Sequence, residues 1–181
     1  MRHLATTLFA LLAAFPFLAA PQDPKPTPAP KPAATAAKPD GLVDGTYGYS
    51  MRSPVFAKLQ PGATGMVAFF SAPPKDDFSA NVNVLVQEVT TTRAEYRKGT
   101  ETQFEQLGYE VHSMEERDVG GHPALLFDYS GVQEGRELRF LGLAVVTQKR
   151  VFLLTGTAPA KDWKSYEKPF RDSLLSFVAP K

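Results

Sequence analysis

The chain predicts an α+β fold, a sheet of about six or seven strands with helices above and below it. Three observations carry that expectation. Four consecutive short apolar segments after residue 108, separated by turn residues, read as a meander of strands. One of them, "ELRFLGLAVVTQ", is apolar on both sides, with Leu138, Phe140, Ala144 and Val146 facing one way and Leu141, Leu143 and Val145 the other. A strand with two apolar faces is covered twice. Two further segments carry the three- and four-residue spacing of amphipathic helices.

In chain order, "TYGYSMRSP" reads as a first strand stopped by Pro54, and "GMVAFFSAP", residues 65–73, as a second, again ended by proline. "SANVNVLVQEV", residues 79–89, places Val82, Val84 and Val86 on one face and Asn81, Asn83 and Gln87 beside Leu85 on the other. That pattern predicts a strand at or near a sheet edge, one face buried and one mostly wet. Residues 91–107 predict a helix with Thr91 or Thr92 as cap, Gly108 as left-handed stop, and a thin stripe of Tyr96, Thr100, Phe104 and Leu107.

A strand meander follows: "YEVHSMEER", "PALLFDYSG", "ELRFLGLAVVTQ" and "VFLLTGT". In the second of these, Leu125, Phe127 and Tyr129 point into one layer, and the preceding glycines with His122-Pro123 make the turn. "GVQEGR" closes the next hairpin and brings Asp128 near Arg139 across the ladder, in a register uncertain by a residue or two. The closing segment, "KDWKSYEKPFRDSLLSFV", carries Trp163, Tyr166, Phe170, Leu174 and Phe177 as one apolar stripe, with Asp162 at its start and Pro169 expected to kink or restart the helix. Burying five such side chains contributes on the order of 10 kcal/mol before entropy is subtracted.

The order of these elements, with "TTTRAEY" opening the first helix, "GGHPALLFDYS" in the meander, "VFLLTGTAP" and the terminal "LLSF", resembles the PsbP-like superfamily over residues 42–179. The resemblance implies a three-layer α/β/α sandwich around a mainly antiparallel sheet, and members that act as binding or assembly modules. It brings no catalytic motif and no functional residue.

The domain organisation is read from composition. "MRHLATTLFALLAAFPFLAA", residues 1–20, has the positive start, the short apolar run and the small final residues of a signal peptide cleaved after Ala20, with an uncleaved anchor as the alternative. Residues 21–40 are a proline- and alanine-rich linker with no core-forming residues, extended in part as polyproline II. The domain spans 41–181. Without Arg2 the 20 basic residues become 19, equal to the 19 acidic ones, so bulk charge favours neither nucleic acid nor anionic lipid. The chain has no cysteine, which excludes disulfides, thiolate metal sites and a cysteine nucleophile.

Candidate chemistry is sparse. His112 and His122 are the histidines of the mature chain, and on adjacent strands they could meet Glu110, Glu115 or Asp128 around a divalent metal. Neither HExxH nor a short-range histidine pair is present, so the bland assignment is a strand histidine and a turn histidine. His122 and Asp128 lie about 20 Å apart if their segment is one strand, which rules out a direct hydrogen bond. No GxSxG elbow, GxxxxGK loop or GxGxxG fingerprint occurs, and no cofactor is implied. Asp76-Asp77 and Glu115-Glu116 lack the spacing of a calcium loop and read as solvated charge. The expectation is an exported, non-catalytic binding or assembly module for an envelope or secreted protein, with contacts at the sheet edge 81–89 and loops 55–64 and 73–79. The alternatives are metal-dependent or hydrolytic chemistry at His112 and His122, or carriage of a small apolar ligand.

Overall fold

The computed structural model describes residues 42–43, 47–60 and 66–180. The signal peptide and linker expected over 1–40 lie outside them. A short ribbon pairs β1 (Leu42–Val43) with β2 (Ser50–Met51). The main sheet has seven strands: β3 (Lys58–Leu59), β4 (Ala68–Ser71), β5 (Asn81–Gln87), β6 (Glu110–Val119), β7 (His122–Gln133), β8 (Arg136–Val146) and β9 (Val151–Pro159). Their order across the sheet is β3-β4-β5-β9-β8-β7-β6, and every pair is antiparallel.

Turn chemistry sets the meander. Gly120 and Gly121 have φ of 59° and 83°, and Glu134 and Gly135 have 48° and 74°. Two successive positive φ values define the tight turn whose twist matches the flanking strands. The first turn is therefore the glycine pair alone. His122 and Pro123 are already in β7, paired with Val119 and Asp118. That corrects the expectation that they form the turn.

Helix α1 (Arg93–Leu107) links β5, in the middle of the sheet, to β6 at its far edge, and so crosses one face. Its ends follow the sequence signals. Thr92 accepts from the Glu95 N–H while its own N–H donates to Glu95 Oε2 (2.8 Å), and Gly108 stops the helix at φ 66°. Tyr96, Thr100 and Phe104 are buried, but Leu107, at the last turn, is 52% exposed and leaves the stripe. Helix α2 (Trp163–Leu174) covers the other face. It runs through Pro169 as one helix instead of restarting there, because residues on both sides of the proline, Trp163 and Phe170 with Leu174, dock on the same core.

Each face has its own packing. On the α1 face Phe104 stacks on Tyr129 (4.3 Å between centroids), and Tyr129 stacks on Phe140 (4.6 Å). On the α2 face Phe70, Val82, Val84, Leu126, Leu141, Leu143, Phe152 and Leu154 meet Trp163, Phe170, Leu174 and Phe177, with Tyr49 and Met51 from the N-terminal ribbon. A glycine makes room for a ring on each face. A Cβ at Gly142 would lie 2.1 Å from the Phe127 ring, and one at Gly156 would lie 2.6 Å from that of Phe170.

The strand expected near an edge is interior. β5 pairs with β4 on one side and β9 on the other, and Asn81 and Asn83 are buried at 9% and 4% exposure. The polar alternation of this strand marks a polar but covered face. The true edges are the two-residue β3 and the ten-residue β6.

Candidate functional site

The β6–β7 hairpin decides the fate of the two histidines. His122 stands beside the glycine turn. His112 lies at the opposite end, at the bulge between Val111 and Ser113, with Nε2 2.9 Å from Ser130 Oγ. Eight residues of β7 separate His122 from Ser130, roughly 26 Å along the strand. The metal set imagined from the sequence is therefore dispersed. Glu115 is paired with Arg117, Asp128 with Arg139, and Glu110 Oε1 is 3.7 Å from His112 Nδ1. Among the described residues no three histidine or carboxylate side chains gather where they could hold an ion.

Ser130, His112 and Glu110 do stand in the order of a nucleophile, a base and an orienting acid. The third link is long, since a hydrogen bond needs about 3 Å. Ser130 sits inside a strand and not on an elbow, and Arg139, opposite it in the ladder, is already engaged. The Ser130–His112 contact fixes the bulge of an edge strand.

Asp128 and Arg139 form the pair the sequence pointed to. They are diagonal in the ladder, Asp128 facing Leu141 and Arg139 facing Ser130. Arg139 Nε and an Nη each donate to a carboxylate oxygen of Asp128 at 2.9 Å. The guanidinium also lies 5.0 Å from the centroid of the Trp163 ring. Hydrogen bonding to Asp128 raises the Arg139 pKa further, so the guanidinium in this clamp of β7, β8 and α2 stays charged.

A second assembly of charge surrounds the loop between β4 and β5. Lys75 and Phe78 exchange backbone hydrogen bonds of 2.8 and 3.0 Å around Asp76 and Asp77, whose φ values are 50° and 58°. Two adjacent non-glycine residues in the left-handed region are costly, on the order of 1 kcal/mol each, although aspartate tolerates it better than most. Three distant groups hold this turn. Lys161 Nζ reaches Asp76 Oδ2 (2.7 Å), Lys75 Nζ reaches Asp162 Oδ1 (2.9 Å), and Arg136 Nη1 donates to the Asp76 carbonyl (3.1 Å). Lys161 holds the Asp76 carboxyl below the usual carboxylate range.

Between the turn, the β7–β8 tip and the start of α2 lies a half-open cleft of about 250 Å³. Phe78, Leu138 and Pro159 line it with Asp76, Arg136, Glu137 and Lys161. Loop 73–79 was an expected contact region. The cleft's other contributors, Arg136 and Lys161, are some 60 and 85 residues away in sequence, and no local pattern singles them out.

No protein-family model matches the sequence, and no curated protein matches it. Among solved structures, the cyanobacterial PsbP protein CyanoP from Synechocystis superposes with a TM-score of 0.52 at 16% identity, over 81% of this chain and 97% of its own. The fold is PsbP-like. LpqN, a Mycobacterium tuberculosis protein involved in cell envelope biogenesis, superposes on this PsbP-like domain with a TM-score of 0.63 at 13% identity, over 78% of this chain and 90% of its own. A Pseudomonas aeruginosa protein of unknown function, PA94, described as a putative regulator, gives 0.50 at 17% identity over 75% and 84%. At such identities the likeness is one of fold. Among the described residues no helix is long and apolar enough to cross a membrane.

Proposed function

We propose that this protein is an exported, non-catalytic binding or assembly module for an envelope or secreted protein, engaged through the end of the sheet that carries the Asp76-Asp77 turn. The observation that carries this is the turn itself. Three charged side chains from two distant parts of the chain, Arg136 and the neighbouring Lys161 and Asp162, hold an unfavourable backbone conformation at the lip of a cleft. Strain retained in that way marks a surface shaped for contact more than for stability. The signal-like segment 1–20 supports export, and LpqN's part in envelope biogenesis supports the compartment. Neither nucleic acid nor membrane insertion of the mature chain is part of this reading.

The test is co-purification of the full chain from envelope fractions of its own host, beside Arg136→Glu/Lys161→Glu. Proteins recovered with the wild type and lost from the double variant are the expected result. Identical recovery by both, or recovery by neither, overturns it. The hydrolytic alternative rests on the His112–Ser130 contact. It predicts labelling by a fluorophosphonate that Ser130→Ala abolishes, and absence of labelling removes it.

A further inference from the structure

We infer that the C-terminal tail, residues 176–180, is a latch. It closes the N-terminal ribbon of β1 and β2 over the α2 face, and tail and ribbon release together while the seven-stranded sheet stays folded.

The ribbon is a two-stranded sheet of its own, outside the ladder of the main sheet. Among the described residues the backbone bonds of β2 run to β1 on one side and to the tail on the other. The Ser50 N–H donates to the Val178 carbonyl (3.0 Å), and the Val178 N–H donates back to the Ser50 carbonyl (2.8 Å). Two serines, one in the last turn of α2 and one just past it, complete the closure. The Arg52 N–H donates to Ser176 Oγ (2.8 Å), and the Ser173 hydroxyl donates to the Arg52 carbonyl (2.6 Å). The Ser176 hydroxyl in turn donates to the Ser173 carbonyl (2.6 Å).

The attachment to the body of the domain is apolar and shared. Phe152 of β9 receives Phe177 from the tail at 5.2 Å between ring centroids. It also receives Tyr49 at 5.9 Å and Tyr47 at 6.4 Å, both from the segment leading into β2. Tyr49 stacks on Phe177 at 5.4 Å, and both rings are buried. Taking away either the ribbon or the tail therefore strips ring contacts from the other. Groups that complete each other's site in this way open as one unit.

The rest of the fold does not depend on that closure. Helix α2 ends at Leu174, before the tail begins, and holds the sheet through Trp163, Phe170 and Leu174. Strands β7, β8 and β9 each have a hydrogen-bonded neighbour on both sides. The chain enters the described fold through β1, so the latch stands between whatever precedes residue 42 and the main sheet.

Amide hydrogen exchange of the full chain, followed by NMR in rising sub-denaturing urea, tests this. The reporters are Ser50, Arg52 and Val178, with Leu143 and Leu154, paired between β8 and β9, as references. The three reporters should share one opening equilibrium and be about tenfold or more less protected than the references. Phe177→Ala, in the tail, should speed Ser50 and Val178 by the same factor, again about tenfold or more, with Leu143 and Leu154 unchanged. Ser176→Ala removes one hydroxyl and should speed the same two amides by a smaller common factor, which keeps the test readable if Phe177→Ala unfolds the domain. Reporters as protected as Leu143 and Leu154 overturn the inference, because the ribbon then opens only with the sheet. Faster exchange at Val178 with Ser50 unmoved, in either variant, also overturns it, because the two ends are then independent.

Discussion

The two faces of the sheet are closed by different physics. On the α2 face a helix with Trp163, Phe170 and Leu174 presses a continuous stripe into an aliphatic and aromatic core, and the N-terminal ribbon adds Tyr49 and Met51. On the α1 face the helix buries only Tyr96, Thr100 and Phe104, one of them polar. The sheet supplies much of the aromatic surface there, through Phe127, Tyr129 and Phe140, and Phe104 from α1 packs into that stack. The helix is then pinned from its outside. Glu116 on β6 takes Arg93 at 3.0 Å and Arg97 at 3.6 Å, and the capping box closes the start. A helix with a poor apolar stripe can serve as a layer when its ends and flank are fixed by hydrogen bonds and ion pairs.

The largest expected effect breaks this comparison directly. Phe170→Ala removes the ring that fills the space over Gly156, and a buried phenylalanine truncation costs about 3–5 kcal/mol. Denaturant melts should show global loss of stability. Phe104→Ala empties a similar volume, but its loss should appear in hydrogen exchange as opening of α1 first, since few other apolar groups hold that helix. If both variants lose protection uniformly, the two layers do not differ as described.

A middle-sized effect concerns the Asp128–Arg139 clamp. Asp128 is 5% exposed, so Arg139→Ala strands a buried carboxylate. The partial exposure of Arg139 keeps the expected cost nearer about 2 kcal/mol than the 3–5 of a fully buried pair. Reversing both charges should recover part of what either single reversal loses, and absence of any recovery in a double-mutant cycle would refute the coupling.

The smallest effect is at the start of α1. Thr92→Ala should cost about 1 kcal/mol. Its pH dependence has a definite sign. Hydrogen bonds from the Thr92 backbone and side chain hold the Glu95 carboxyl below its ordinary range. The folded state therefore binds that proton less readily than the unfolded one. The contribution is present above the ordinary glutamate value of about 4.3 and fades as pH falls through and below it. Glu95→Gln should flatten that part of the stability profile, and an unchanged profile would argue against the cap.

Much of this architecture was legible because it is local. The faces of β8 follow from alternation over ten residues, and the ends of α1 follow from Thr92, Glu95 and Gly108. The Asp128–Arg139 pair needed only a hairpin between them. What was not legible is long-range or depends on element ends. Asn81 and Asn83 gave β5 the pattern of a half-wet strand, yet nothing in that pattern says that β9 will pair with it. Leu107 fits the stripe of α1 by spacing but falls on the last turn, where it is 52% exposed. The cleft is assembled from the β4–β5 loop, the β8 start and the β9–α2 junction, so its residues carry no common motif. His112 and His122 lie on neighbouring strands, but the antiparallel hairpin leaves them at its opposite ends.

The place of β5 beside β9 also makes the closures of the sheet unequal in cost. The meander from β6 to β9 grows by hairpins with short turns, each closed quickly once its strands exist. Pairing Gln87 with Val151 must instead close a loop of about sixty residues, a larger entropic demand. Joining the β3–β4–β5 block to β9 is thus the costlier closure of the sheet, and α1 lies within the loop it closes. During synthesis the early strands wait without their central partner until β9 has emerged.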